Sequence, residues 1–196
     1  MFFRYKSHIA TWLMAAAFTA VSIVSMAVQA AAPATGAEAA CMIDVNTGRI
    51  LYQHNPTKWM HPASTTKIVT LITALDQCSD KLDQPLKISS YAANIEPSSL
   101  GIAPGDALTV REALRGMMVV SGNDAAVAVA ETLGGSVAGY AAMMNAEAQK
   151  MGAAHTHFVN PNGLTAPKHY TTAVDMAKMA AYGMKNFPEY CKLKSV

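Results

Sequence analysis

Only one place in this chain reads as a pair of strands. The apolar runs Ala40–Ile43 and Ile50–Tyr52 flank Asn46-Thr47-Gly48, where glycine offers the positive φ of a tight reversal. A two-stranded hairpin is not stable alone in water, so another element has to cover it. No later stretch alternates over a length that would pair beside it, and the rest reads as helix and loop. From Ser64 to Leu75, Ile68, Leu71, Ile72 and Leu75 recur at helical spacing behind Pro62. Residues 79–85 form a polar break, and residues 86–109 are loop-rich with a turn at Pro104-Gly105-Asp106. Thr109 with Glu112 reads as a capping box opening a helix through about Met118. Ser121-Gly122-Asn123 interrupts; Asp124 starts a helix ending at Gly134-Gly135, and Ser136 caps another that Gly152 closes. Asn160–Leu164 is a turn, and Thr172 with Asp175 is a second capping box, for a helix to about Lys185.

The first thirty residues stand apart. Arg4 and Lys6 precede twenty uncharged residues, Ile9–Val28, and the small-residue exit at Val28-Gln29-Ala30 predicts a secretory signal over 1–30. An uncleaved anchor is the rival, since twenty apolar residues just span a bilayer. Fifteen Lys and Arg face thirteen Asp and Glu, but Arg4 and Lys6 lie in that segment, so the remainder is balanced. Without a basic stripe, a nucleic-acid partner is not expected. Cys41, Cys78 and Cys191 give no disulfide framework, and Cys41 in its apolar run reads as a buried thiol. His155 and His157 carry no metal-binding pattern, and the thirteen methionines read as core filler.

Two short motifs carry chemistry. Ser64 and Lys67 lie three apart, on one helix face, so the amine can approach the hydroxyl. Taken alone, Ser64 reads as a helix cap contributing roughly 1 kcal/mol. As a nucleophile it would sit beside the N–H groups and positive end of a helix, with a desolvated Lys67 as base. Fifty-seven residues after Ser64, Ser121-Gly122-Asn123 puts a hydroxyl and an amide on a turn between apolar helices, able to relay a proton and grip a carbonyl.

Together, "STTK" and "SGN" resemble the serine penicillin-recognising enzymes, and more closely the D-alanyl-D-alanine carboxypeptidases among the low-molecular-weight penicillin-binding proteins. "MIDVNTGRILYQHN", "HPASTTKIVTLITALD", "MGAAHTHFVNPNGL" and "HYTTAVDMAKMA" extend the likeness from about Ala39 to Tyr190. The resemblance implies an α/β (α+β) fold of the β-lactamase/transpeptidase type. It would be present here incompletely, as an N-terminal hairpin plus a helical lobe with the later sheet strands missing. Residues 31–196 would be a partial serine D,D-peptidase domain. Ser64 would be the acylated nucleophile and Lys67 its proton acceptor; Ser121 would protonate the departing D-alanine and Asn123 would hold the substrate amide. The implied partners are peptidoglycan stem peptides and β-lactams, in the periplasm or cell envelope, with peripheral membrane association left open. No metal or organic cofactor is implied.

That family also needs a Lys-Thr-Gly or Lys-Ser-Gly strand for the substrate carboxylate and a second oxyanion donor. The nearest approach is Lys194-Ser195-Val196, without the glycine. Losing one oxyanion donor costs on the order of 10² to 10³ in kcat, so impaired turnover and a truncated domain are expected. The alternatives are a non-catalytic penicillin- or muropeptide-binding fragment and a class A β-lactamase. The latter needs a glutamate placed to activate water, and neither Glu147 nor Glu189 suits by position.

Overall fold

The computed structural model describes residues 35–191. The export signal expected over 1–30 and the weak Lys194-Ser195-Val196 match lie outside the described residues. Strands β1 (Ala40–Ile43) and β2 (Ile50–His54) form the antiparallel hairpin, with Ala40 opposite His54 and Met42 opposite Tyr52. The register shifts at Met42/Ile43, which leaves Leu51 without an opposite number, as in a bulge. Asp44 closes the turn: its backbone accepts from Gly48 and its carboxylate from the Thr47 N–H, while Gly48 takes φ 72°.

Helix α1 (Thr66–Gln77) follows a 3₁₀ turn at Ala63–Thr65; a 3₁₀ turn at Ser79–Lys81 and a short α2 (Ser90–Ala93) interrupt the loop-rich insert. Then come α3 (Val110–Val120), α4 (Asn123–Gly134), α5 (Val137–Lys150), α6 (Ala173–Asn186) and α7 (Pro188–Cys191). Helix α4 is the centre of the lobe. Its Asn123–Ala130 stretch is buried residue by residue, and four alanines there let α1, α2, α3 and α5 pack around it. A helix apolar all round belongs in a core.

Among the described residues the sheet has two strands, and α6 covers β1. Met42, Ile50 and Leu51 remain exposed on it. The expected hairpin plus helical lobe thus holds for the described part. Several details differ from expectation. Cys41 is half-buried, because the hairpin is covered on one side only; Cys78, at the end of α1, is the buried thiol. Met117, Met144 and Met179 fill the core, but Met42 and Met184 are about half exposed, at 49% and 51%. The Thr109–Glu112 box is complete. The Thr172 box is only half made. Thr172 accepts from the Asp175 N–H at 3.2 Å, but the Asp175 carboxylate instead accepts from the His155 N–H at 2.7 Å and the Thr156 hydroxyl at 3.0 Å. That tie secures the 153–157 loop to α6.

Candidate active site

Ser64 does not cap α1. It lies inside the 3₁₀ turn, and Thr65 at the helix N-cap makes no side-chain capping bond either. The chain enters that turn through Ala63 at φ 47°, a left-handed conformation that costs an L-residue roughly 1–2 kcal/mol. Ser64 in that turn and Lys67 in the first turn of α1 are three residues apart on one face, which sets the exposed Ser64 hydroxyl over Lys67, with Oγ 3.3 Å from Nζ.

Lys67 is only 2% exposed and its amine has two further partners. It donates to Asn123 Oδ1 and to the backbone carbonyl of Asn162, each at 2.7 Å. Asn123 Nδ2 donates to the Glu96 carbonyl at 2.7 Å, which fixes the amide orientation and leaves Oδ1 for the lysine. Burial lowers the Lys67 pKa to about 8, with the Asp124 carboxylate acting in the opposite direction. A neutral lysine has two N–H groups and one lone pair. With two acceptor oxygens holding the N–H groups, the lone pair is left for Ser64.

Ser121 ends α3 at φ 60°, a left-handed C-cap. Asn123 is not on the turn as expected but is the first residue of α4, its N–H bonded to the Ser98 carbonyl at 2.7 Å. The structure therefore joins Ser64, Lys67 and Asn123 through hydrogen bonds. Ser121 shares with Ser64 and Lys67 a cleft of about 200 Å³, whose apolar walls are Ile68, Met117 and Met118.

The turn at Asn160–Leu164 turns out to be part of this site. It supplies the Asn162 carbonyl, and Thr70 on α1 fixes it by donating to the Pro161 carbonyl at 2.6 Å. Gly163, at φ 90°, permits the approach: a Cβ there would lie 1.8 Å from the Ala63 carbonyl oxygen. The available signal was the Asn-Pro-Asn-Gly string itself, which reads as an ordinary turn. Below the turn, His169 accepts from the Val159 N–H at Nδ1, so Nε2 carries the proton and donates to Thr66 Oγ1 at 3.0 Å. Burial, then the neighbouring His61 and His157, lower the His169 pKa to about 4. It is neutral near pH 7.

Glu147 sits elsewhere. It accepts from Gln77, the last residue of α1, at 2.9 Å and pairs with Lys150. Ten residues of helix separate Gln77 from Lys67, roughly 15 Å at 1.5 Å per residue. This carboxylate is not placed to activate water at Ser64. Among the described residues no group of three or more His, Cys, Asp or Glu side chains gathers to hold a metal. His157 instead bonds the Lys168 carbonyl.

Residues 26–196 match the family model described as D-alanyl-D-alanine carboxypeptidase (Peptidase_S11). The D-alanyl-D-alanine carboxypeptidase DacF of Bacillus subtilis is 41% identical over 147 residues, covering 74% of this chain and 38% of its own length. The crystal structure of the D-alanyl-D-alanine carboxypeptidase DacD from Francisella tularensis superposes with a TM-score of 0.77 at 37% identity, over 83% of this chain and 40% of that one. Penicillin binding protein 5 from Haemophilus influenzae gives 0.76 at 34% identity, over 82% and 48%. This chain thus spans less than half the length of each.

Proposed function

The chain belongs to the D-alanyl-D-alanine carboxypeptidase family, and we propose that it is a serine D,D-carboxypeptidase, or the part of one that bears the nucleophile. The observation that carries this reading is the Lys67 amine, clamped by two carbonyl oxygens with its third direction on the Ser64 hydroxyl. In the proposed reaction Ser64 Oγ attacks the carbonyl carbon of the penultimate D-alanine of a stem peptide, and its proton passes to Lys67. The positive N-terminal end of α1 favours the negative charge that develops at the attacked carbonyl. The C–N bond then breaks as Ser121 gives its proton to the leaving D-alanine amine and takes back the one held by Lys67, and water hydrolyses the ester to restore Ser64. Asn123 holds Lys67 through Oδ1 and keeps one Nδ2 hydrogen for a substrate carbonyl, since an amide has two donors. A β-lactam would acylate the same serine.

On the sequence pattern, residues 1–30 are proposed as an export signal and residues 31–196 as the peptidase-domain portion, acting in the cell envelope on peptidoglycan. A labelled penicillin tests the reading: after proteolysis, mass spectrometry should find the adduct on Ser64, and Ser64→Ala should abolish it. Folded protein that takes no label, or takes it on another residue, refutes the proposal. Release of D-alanine from a D-Ala-D-Ala peptide then separates a turning-over enzyme from a penicilloyl- and muropeptide-binding form.

A further inference from the structure

Asp124 directly follows the Ser-Gly-Asn turn, and its side chain is fully buried. A buried carboxylate costs several kcal/mol unless hydrogen bonds satisfy it. Here five donors do. Oδ1 accepts from the N–H groups of Leu100 and Ala125, each at 2.8 Å. Oδ2 accepts from Ser99 Oγ at 2.6 Å, the Gly101 N–H at 2.8 Å and the Ile102 N–H at 3.2 Å. Burial alone would raise its pKa, but these bonds outweigh that and hold it below the usual carboxylate value. Asp124 is therefore ionised, and no cation pairs with it among the described residues.

The loop it grips has a second task. Residues 99–102 are tied to Asp124, while the preceding Glu96 and Ser98 supply the two carbonyls that fix the Asn123 side chain and backbone. Asn123 in turn holds Lys67. We propose that Asp124 is a positioning residue: it holds Asn123 through the 96–102 loop and supplies the buried negative charge against which Lys67 takes up and releases its proton. Other groups do not compete for that role. Glu96 is exposed and His169 is neutral and bonded to Thr66. On α5 and α6, Glu147, Lys150, Asp175 and Lys178 pair among themselves or with Asp76 at the far end of α1. Helix α3 turns Met117, Met118 and Ser121 to the cleft, and residues 160–164 bring no charge.

The inference rests on Lys67 being the base for Ser64, and two readouts keep the two ideas apart. The pH dependence of Ser64 acylation by labelled penicillin reports the base in action; NMR of the ¹³C-labelled lysine ε-carbon reports Lys67 without any reaction. The protein is compared with Asp124→Asn, which removes the charge, and with Ser99→Ala, which removes one of the five bonds to the carboxylate and the Gly101 N–H bond to Ser99, and keeps the charge. For the parent both midpoints are expected near pH 8. Asp124→Asn should move both to lower pH and lower the plateau rate on the order of tenfold through misplacement. Ser99→Ala should lower the plateau and leave the midpoints in place. An unmoved Lys67 midpoint in Asp124→Asn, or an equal displacement in Ser99→Ala, overturns the inference. If Asp124→Asn does not fold, Asp124→Glu decides: it must keep the parent midpoint while losing plateau rate. A parent never acylated at Ser64 would sink the functional reading, while the NMR midpoints would still test Asp124.

Discussion

Gly163→Ala places a methyl group where the structure leaves no room. At φ 90° its Cβ would stand 1.8 Å from the Ala63 carbonyl oxygen and 2.4 Å from the carbonyl carbon. Carbon approaches a carbonyl oxygen to roughly 3.3 Å, so the two segments must part by about 1.5 Å. Asn162 is the preceding residue, and its carbonyl is 2.7 Å from Lys67 Nζ. A retreat of that size takes the oxygen out of hydrogen-bond reach and frees the amine to turn from Ser64. Misplacing a reacting group by about 1 Å costs on the order of 10² in rate. The expected result is a fall of about 100-fold in the rate of Ser64 acylation by a labelled penicillin, measured as a time course at fixed pH. Gly48→Ala is the matched control, since Gly48 also has a positive φ, 72°, but nothing lies within 4 Å of its missing Cβ. It should lose about 1–2 kcal/mol in denaturant unfolding with acylation unchanged. A Gly163→Ala protein that is acylated within twofold of the parent would refute the claim that this turn positions Lys67.

The depressed pKa of His169, about 4 against an ordinary 6.5, makes stability depend on acid. Between those values the unfolded chain binds a proton that the native histidine does not, so the contribution is complete above pH 6.5 and is lost as pH falls toward 4. Urea unfolding at pH 7 and pH 4.5 should show about 2.5 kcal/mol more loss in the parent than in His169→Gln; equal losses would contradict this. Thr109→Ala removes the hydroxyl half of the capping box, the Glu112 N–H bond at 3.2 Å together with the hydroxyl bond to the Glu112 carboxylate at 2.8 Å, and keeps the backbone N–H bond to that carboxylate. It should cost about 1 kcal/mol with acylation unchanged, because the opposite end of α3 faces the cleft; lost acylation would show that the cap positions the site.

What the sequence made legible was local. The hairpin around Gly48 and the Thr109–Glu112 box are set by residues three or four apart, and both form as expected. The Thr172–Asp175 pair has the same spacing, yet its carboxylate is drawn away by His155 and Thr156, some twenty residues earlier in the chain. By sequence, Ser121-Gly122-Asn123 reads as one turn with Asp124 opening the next helix. In the structure the Asn123 backbone N–H finds the Ser98 carbonyl, and that distant acceptor lets α4 begin one residue sooner. Ser64 and Lys67 were legible as a pair. The Asn162 carbonyl was not, because a backbone oxygen has no identity in the sequence and reaches Lys67 from ninety-five residues away.

The same contrast explains how the site keeps its shape. Three backbone positions around the cleft lie at positive φ: Ala63 at 47°, Ser121 at 60° and Gly163 at 90°. Two of these are not glycine, and each such residue costs of order 1–3 kcal/mol, tolerated only where the surroundings overdetermine it. Here Gly163 abuts the Ala63 carbonyl, Thr70 holds the Pro161 carbonyl, and the buried Asp124 holds the loop that clamps Asn123. Each strained residue precedes or bears a side chain of the site: Ala63 comes just before Ser64, and Ser121 turns its own hydroxyl to the cleft. Ser64 and Lys67 both follow Ala63, so its φ does not set their spacing; it sets the direction in which the chain from Pro62 joins the helix that carries both. The strain at Ala63 thus orients the segment that bears both residues, while Asn123 and the Asn162 carbonyl aim the Lys67 amine at the Ser64 hydroxyl.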